Sequence, residues 1–333
     1  MLIGNKNFDL KNSAYVCGIL NVTPDSFSDG GRYNNIDAAL FHTEEMIKDG
    51  AALIDIGGES TRPGYTMISD DEEIERVVPV IRAVKARFDI PVSLDTYKAG
   101  VAAAGIEAGA DLINDIWGLM HNTSTSDDGS IVSPMAVLLA KSGLPCCLMH
   151  NRKSDKYNDF ITDYLDDNRL IIDCALKHGI SKENIILDPG VGFAKSLEQN
   201  LIAINTLDKL CALGYPVLLG TSRKSVVGLT LDLPRDERVD GTVATSVIGL
   251  MRGASIFRVH DVKENFRALK MAAAVIGKSA QPLDELHGRA VDDDGAIFIP
   301  LAQLPLDGLE EHIFGRWLAL TLANLAVVDV LDA

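Results

Sequence analysis

Short apolar runs recur along the first 261 residues, and a stretch with helical spacing follows most of them. They are YVCGIL (15–20), ALIDIG (52–57), PVSLDT (91–96), DLINDI (111–116), PCCLMH (145–150), NIILDPG (184–190), PVLLGTS (216–222) and SIFRVHD (255–261). Their hydrophobicity is continuous rather than alternating, which predicts strands covered on both faces, as in a parallel sheet. Between them, DDEEIERVVPVIRAVKARF (70–88) and SLEQNLIAINTLDKLCALG (196–214) place apolar residues at intervals of three and four. That spacing predicts amphipathic helices, the first opening on acids and the second closing at Gly214. Eight such units predict an α/β fold, a (β/α)8 TIM barrel. A doubly wound sheet is the alternative, but no GxGxxG opens the first unit. The polar stretch NTSTSDDGSIVS (122–133) reads as a mobile loop.

The texture changes after Ile276, which predicts a barrel over residues 1–277 and an acidic C-terminal extension over 278–333. The extension holds ten acids and three Lys/Arg, a net −7 of the chain's −16, and ends in the apolar stretch WLALTLANLAVV (317–328). That stretch is too short for a bilayer span and too apolar for an exposed helix. A charge of −16 argues against a nucleic-acid partner. It also means that an anionic substrate must be met by cations gathered locally. The first residues, MLIGNKNFDLKNSAYV, lack the apolar core of a signal peptide. Cys17, Cys146, Cys147, Cys174 and Cys211 show no CxxC spacing, which suits reduced thiols in a cytoplasmic protein with no membrane segment.

Active sites of such barrels lie where the strands end, and here every strand end is polar. After ALIDI the chain reads GGESTRPG (57–64), two glycines that let the backbone turn, then an acid, two hydroxyls, an arginine and a proline. Alone this is an ordinary polar turn; the partners at other strand ends decide. Arg62, Arg223, Lys224, Arg258 and His260, with the hydroxyls of Thr61, Ser222 and Ser225, favour negative oxygens. Asp95, Asn114 and Asp188 supply acceptors suited to a flat heterocycle rich in N–H donors. The two sets together describe a phosphorylated heterocyclic substrate.

The motifs GILNVTPDSFSDGG (18–31), IGGESTRPG (56–64), SLDT (93–96), NDI (114–116), LDPGVGFAK (187–195), GTSRKS (220–225) and RVHDV (258–262) resemble, in order, the signature set of the dihydropteroate synthases. The resemblance spans about residues 15–277. It implies a (β/α)8 barrel that joins 6-hydroxymethyl-7,8-dihydropterin pyrophosphate to p-aminobenzoate with Mg²⁺ and releases pyrophosphate. By matching position it implies Asn21 as the metal ligand, with Asp95, Asn114, Asp188 and Lys224 holding the pterin and Met149 and Phe193 packing on its ring. It implies Thr61, Arg258 and His260 at the pyrophosphate, and Phe27, Arg62, Pro63, Lys224 and Ser225 around p-aminobenzoate. Asp95 and Lys224 carry the catalytic expectation, and a homodimer is implied. Two stretches depart from the family pattern: LMHNRKSDKYND after the fifth strand, and everything beyond about residue 277.

The closest rival is a pterin-binding methyltransferase, which has no use for the pyrophosphate grip of GTSRKS and RVH. A second makes Lys224 a Schiff-base lysine in an aldolase-like barrel. A third is a non-catalytic paralogue, from which the loss of motif residues is expected.

Overall fold

The computed structural model describes residues 1–22, 32–60 and 67–280. Its centre is an eight-stranded parallel barrel: β1 (Ser13–Asn21), β2 (Ala51–Gly57), β3 (Val92–Asp95), β4 (Leu112–Asp115), β5 (Cys146–Met149), β6 (Ile185–Asp188), β7 (Leu218–Leu219) and β8 (Ile256–Val259). Each strand from β1 to β5 pairs with its successor, β8 pairs with β1 and with β7, and a parallel bridge from Leu187 to Val217 joins β6 to β7. That closure excludes the open doubly wound sheet. All eight apolar runs became barrel strands.

Outside lie α1 (Arg32–Lys48), α2 (Asp70–Arg87), α3 (Ala99–Ala108), α4 (Pro134–Ser142), α5 (Phe160–Lys177), α6 (Leu197–Asn205), α7 (Leu207–Cys211), α8 (Ser225–Leu231), α9 (Val239–Met251) and α10 (Val262–Val275). The helix expected over 70–88 is α2. Ser69 caps it by accepting from the Glu72 amide, four acids fill its first turn, and Val77, Val80, Ile81 and Val84 form its buried stripe. The single helix expected over 196–214 is instead two, because Thr206 leaves helical geometry (φ −106°, ψ 24°) and its hydroxyl donates to the Ile202 carbonyl. The polar 122–133 stretch holds a short hairpin. Ser124–Thr125 pairs antiparallel with Ile131–Val132, and the Ser130 amide donates to Asp128 inside the turn.

The strand alternation positions the site. Ile54, Leu94, Ile113, Leu148, Leu187 and Leu219 face outward into the layer beneath the helices. Their neighbours Leu53, Leu112, Cys147, Ile186, Leu218 and Ile256 fill the barrel interior with Tyr15 and Cys17. The period of two then brings Asp55, Asp95, Asn114, Met149, Asp188, Gly220 and Arg258 inward one step nearer the C-terminal ends of the strands. Below this plug, Ile3 and Phe8 of an N-terminal hairpin (Leu2–Ile3 with Lys6–Asn7) join the same cluster. Polar groups thus crown an apolar plug.

Past the expected boundary at 277, Ser279–Ala280 still pairs with the start of β1. The remainder of the expected extension, with its apolar stretch, lies outside the described residues.

Candidate active site

Strand register lines up the first functional positions. Asn21 pairs with Gly57, Gly57 with Asp95, and Asp95 with Asn114. Across the barrel, Asp188 pairs with Met149. No loop is needed to place Asp95, Asn114 and Asp188, since each ends, or nearly ends, a buried strand.

Arg258 on β8 bridges the mouth. Its Nε donates to Asp55 Oδ2 at 2.5 Å and its Nη2 to Asp95 Oδ2 at 2.6 Å. Asn114 Nδ2 donates to the same Asp55 oxygen at 3.2 Å. Burial opposes the guanidinium charge, but the two carboxylates more than offset it and keep Arg258 protonated. Burial also dominates at Asp95, whose carboxyl is pushed up to about 7 despite Arg258. Asp55, absent from the strand-end residues because it sits in the middle of ALIDI, is 1% exposed. The available signal was a charge inside an otherwise apolar strand, a costly placement unless it has a partner.

On the opposite side, Asp188 accepts the Gly190 amide at 2.7 Å, and burial raises its carboxyl. Lys224 caps the N-terminus of α8 and donates to the Val191 carbonyl at 2.6 Å. Its ammonium also lies 4.9 Å from the centre of the Phe193 ring. Burial lowers Lys224 to about 8, with Asp188 pulling the other way. Gly220 leaves space between these groups: a Cβ there would lie 3.8 Å from Arg258 Cβ, 3.8 Å from Lys224 Nζ and 3.9 Å from Asp188 Oδ2. Met149, Ile116 and Tyr97 form an apolar cluster with Phe193 and Trp117 packed against it. The mouth therefore holds acceptors, cations and an aromatic surface within one opening.

His260 and Ser222 form a matched pair. Ser222 Oγ accepts the His260 backbone N–H at 3.0 Å and lies 3.0 Å from Nδ1. With Ser222 donating its hydroxyl proton to Nδ1, the ring proton sits on Nε2; with Nδ1–H donating to Oγ, Nε2 is the acceptor. Burial, with Arg258 and Arg223 nearby, holds the imidazole neutral, down to about 3.

Several residues from the strand-end inventory have other duties. Arg223 donates its Nε to Asp261 at 2.9 Å. Glu59, the acid of GGESTRPG, accepts from Tyr97 Oη at 2.7 Å, from Lys98 Nζ at 2.5 Å and from the Ile68 amide at 3.1 Å. It thereby ties the two ends of its own loop together. Asp115 accepts the Trp117 and Leu119 amides. Ser225 is exposed in the first turn of α8. Phe27, Thr61, Arg62 and Pro63 lie outside the described residues.

The architecture and the donor–acceptor inventory of this mouth define a pterin-binding barrel, and the family model described as pterin binding enzyme matches residues 17–260. The dihydropteroate synthase of Clostridium beijerinckii is 56% identical over 277 residues, which are 83% of this chain and 99% of that one. A dihydropteroate synthase structure from Clostridium difficile, determined in the presence of pteroic acid, superposes with a TM-score of 0.76 at 46% identity, covering 81% of this chain and 99% of that one. The Xanthomonas albilineans dihydropteroate synthase with 4-aminobenzoic acid also gives 0.76, at 38% identity, covering 82% of this chain and 97% of that one. The chain belongs to the pterin-binding enzymes and, within them, to the dihydropteroate synthases, transferases of folate biosynthesis.

Proposed function

We propose that this mouth condenses 6-hydroxymethyl-7,8-dihydropterin pyrophosphate with p-aminobenzoate through the residues named above. The observation that carries the reading is their convergence: Asp95, Asn114 and Asp188 face one opening with Lys224 and Arg258, beside the Met149 and Phe193 surface. Asp95, Asn114 and Asp188 take the N–H donors of the pterin, Lys224 takes an acceptor edge, and Met149 and Phe193 pack on the ring face. Arg258 uses Nε and Nη2 on carboxylates, so its Nη1 edge is the one turned to the pyrophosphate. In its Nε2–H tautomer His260 adds a neutral donor there, and Thr61 an alcohol. Phe27, Arg62, Pro63 and Ser225 surround p-aminobenzoate beside Lys224.

In this mechanism the bond from the methylene carbon to the pyrophosphate oxygen breaks first. The carbon gains positive charge, which the ring spreads and the nearby Asp95 carboxylate stabilises. The neutral arylamine then attacks the carbon, and the arylammonium so formed gives its extra proton to water. No strong base is needed.

For Mg²⁺ the described residues offer little. No group of three His, Cys, Asp or Glu suited to a metal occurs among the described residues, and Asn21 at the end of β1 supplies one neutral amide oxygen. That donor fits an ion that keeps most of its shell of water and phosphate oxygens, so Asn21 would hold it. When bound, the ion supplies charge neutralisation to the leaving pyrophosphate. The direct test is dihydropteroate formation from the two substrates with and without Mg²⁺; no product under either condition would sink the reading.

Arg258→Ala and His260→Ala should each weaken pyrophosphate-bearing pterin by about tenfold, the worth of one charged or well-placed hydrogen bond. A pterin without phosphates should lose much less in His260→Ala than in Arg258→Ala, because only Arg258 also holds Asp95. Equal losses for both ligands in the His260 variant, measured by fluorescence titration, would reject its phosphate role.

A cytoplasmic location agrees with the five free cysteines; among the described residues no helix is long and apolar enough to cross a membrane. A homodimer is supported by exposed apolar side chains on the adjacent α9 and α10, among them Ile248, Met251, Met271 and Val275. If residues 278–333 reinforce that pairing, a chain ending at Ile276 should scatter light as a smaller species and retain the activity of whatever stays folded. Equal masses for the two chains would remove the extension from the interface.

A further inference from the structure

The loop after β6, Pro189–Ala194, must present Phe193 to the pterin and the Val191 carbonyl to Lys224, yet its backbone is unusual. Gly190, Gly192 and Ala194 all have positive φ, at 67°, 87° and 44°. A Cβ on Gly190 would fall 1.9 Å from the His150 carbonyl oxygen, so the loop crosses directly over the end of β5. Such a turn needs something to hold its inward carbonyls.

Lys195 does this. Its ammonium donates to the Gly190 carbonyl at 3.0 Å and the Phe193 carbonyl at 3.1 Å, and meets His150 Nδ1 at 2.9 Å. Three N–H bonds find three acceptors, the full donor capacity of the lysine when protonated, while burial lowers its ammonium to about 7. His150 is 0% exposed, its Nε2 lies 2.8 Å from Asp167 Oδ2, and its backbone amide donates to the Asp188 carbonyl. Asp167 is in turn gripped by Arg152, through Nε at 2.5 Å and Nη2 at 3.0 Å. With Nε2–H given to Asp167, Nδ1 is the acceptor that Lys195 requires. Burial holds His150 neutral, down to about 4, which agrees with that tautomer. The departure from the family pattern after β5 thus has a structural use: it carries His150 and Arg152, and Tyr157, whose Oη donates to the Ala194 carbonyl at 3.0 Å.

We infer that Lys195, held by the His150–Asp167–Arg152 chain, is a positioning residue of the pterin site that fixes the loop presenting Phe193 and the Val191 anchor of Lys224. This rests on the proposed function above. Lys195 acts on the loop backbone, so its removal should be felt in pterin binding far more than in turnover or in p-aminobenzoate use.

The experiment compares Lys195→Met, which keeps length without donors, and Lys195→Gln, which restores two N–H groups, with the unaltered full-length chain. Pterin pyrophosphate KM should rise about tenfold or more in Lys195→Met and less in Lys195→Gln, with kcat and p-aminobenzoate KM within about threefold. The rise in Tm produced by a phosphate-free pterin should shrink in the same order. An unaltered pterin KM in folded Lys195→Met would overturn the inference. So would equal losses in all three constants with a lower Tm, which would mark Lys195 as structural only. Should Lys195→Met fail to fold, Lys195→Gln is judged by the same criteria, and wild-type pterin KM in it overturns the inference. If the unaltered chain neither binds pterin nor makes product, the proposed function itself has failed; normal activity there with an indifferent Lys195 variant removes only this inference.

Discussion

Asp95→Asn will bind the pterin substrate about ten- to hundredfold more weakly and keep its fold, because a charge-assisted hydrogen bond is worth about 1.5–3 kcal/mol. The amide retains one acceptor oxygen for the ring but cannot offset positive charge growing on the methylene, so kcat should fall as well. The fold survives for a reason set by the same group. Burial raises the Asp95 carboxyl to about 7, so the native state binds this proton more tightly than the unfolded chain does. Ionised Asp95 therefore costs stability progressively from its ordinary value up to about pH 7, and a neutral side chain removes that cost. Arg258 still keeps Asp55. The sign for activity is opposite: the working carboxylate is lost as pH falls through about 7, so kcat/KM for the pterin should drop on the acid side. That limb should vanish in Asp95→Asn. Titration of the variant with a fluorescent pterin, and its pH–rate profile, check both statements; wild-type affinity with an unchanged acid limb would refute the assignment.

Lys224→Ala should lower kcat/KM for pterin pyrophosphate by about a hundredfold, the upper range for a buried charged hydrogen bond, and raise p-aminobenzoate KM by roughly tenfold. The loss is compound. Asp188 loses the cation that counters its buried charge, the Val191 carbonyl loses its donor, and Phe193 loses the ammonium beside its ring. Burial lowers the lysine to about 8, so its charge, and with it pterin affinity, declines as pH rises through that value. The unaltered enzyme should show this as an alkaline limb that Lys224→Ala lacks. Saturation curves for each substrate decide the first point, and unchanged curves would reduce Lys224 to a rim lysine. Borohydride with a carbonyl substrate addresses the aldolase rival. Irreversible inactivation with a label on Lys224 would favour the Schiff base; a low pKa alone does not.

Much of this was legible in the chain because a barrel strand must be apolar on both faces, and eight such runs announce eight strands. The strand ends were legible too. A period of two makes Asp95, Asn114 and Asp188 face inward once the apolar residues before them are assigned. Pattern alone did not show the break at Thr206, since its hydroxyl bonds back to Ile202 without disturbing the apolar spacing. Nor did it show which polar residues serve the mouth and which serve the fold. Glu59 belongs to the GGESTRPG motif at the end of β2, yet it turns back to Tyr97, Lys98 and Ile68.

The sequence by itself determined the fold class, the level at which polar groups crown the barrel and the family, because each follows from local residue type repeated at fixed spacing. Only the tertiary structure decided the pairings. Arg258 meets Asp55 203 positions away and Asp95 163 positions away, and Lys195 meets His150 across 45. Such contacts depend on barrel closure and register, which bring distant strand ends within hydrogen-bonding distance and which no stretch of sequence carries alone.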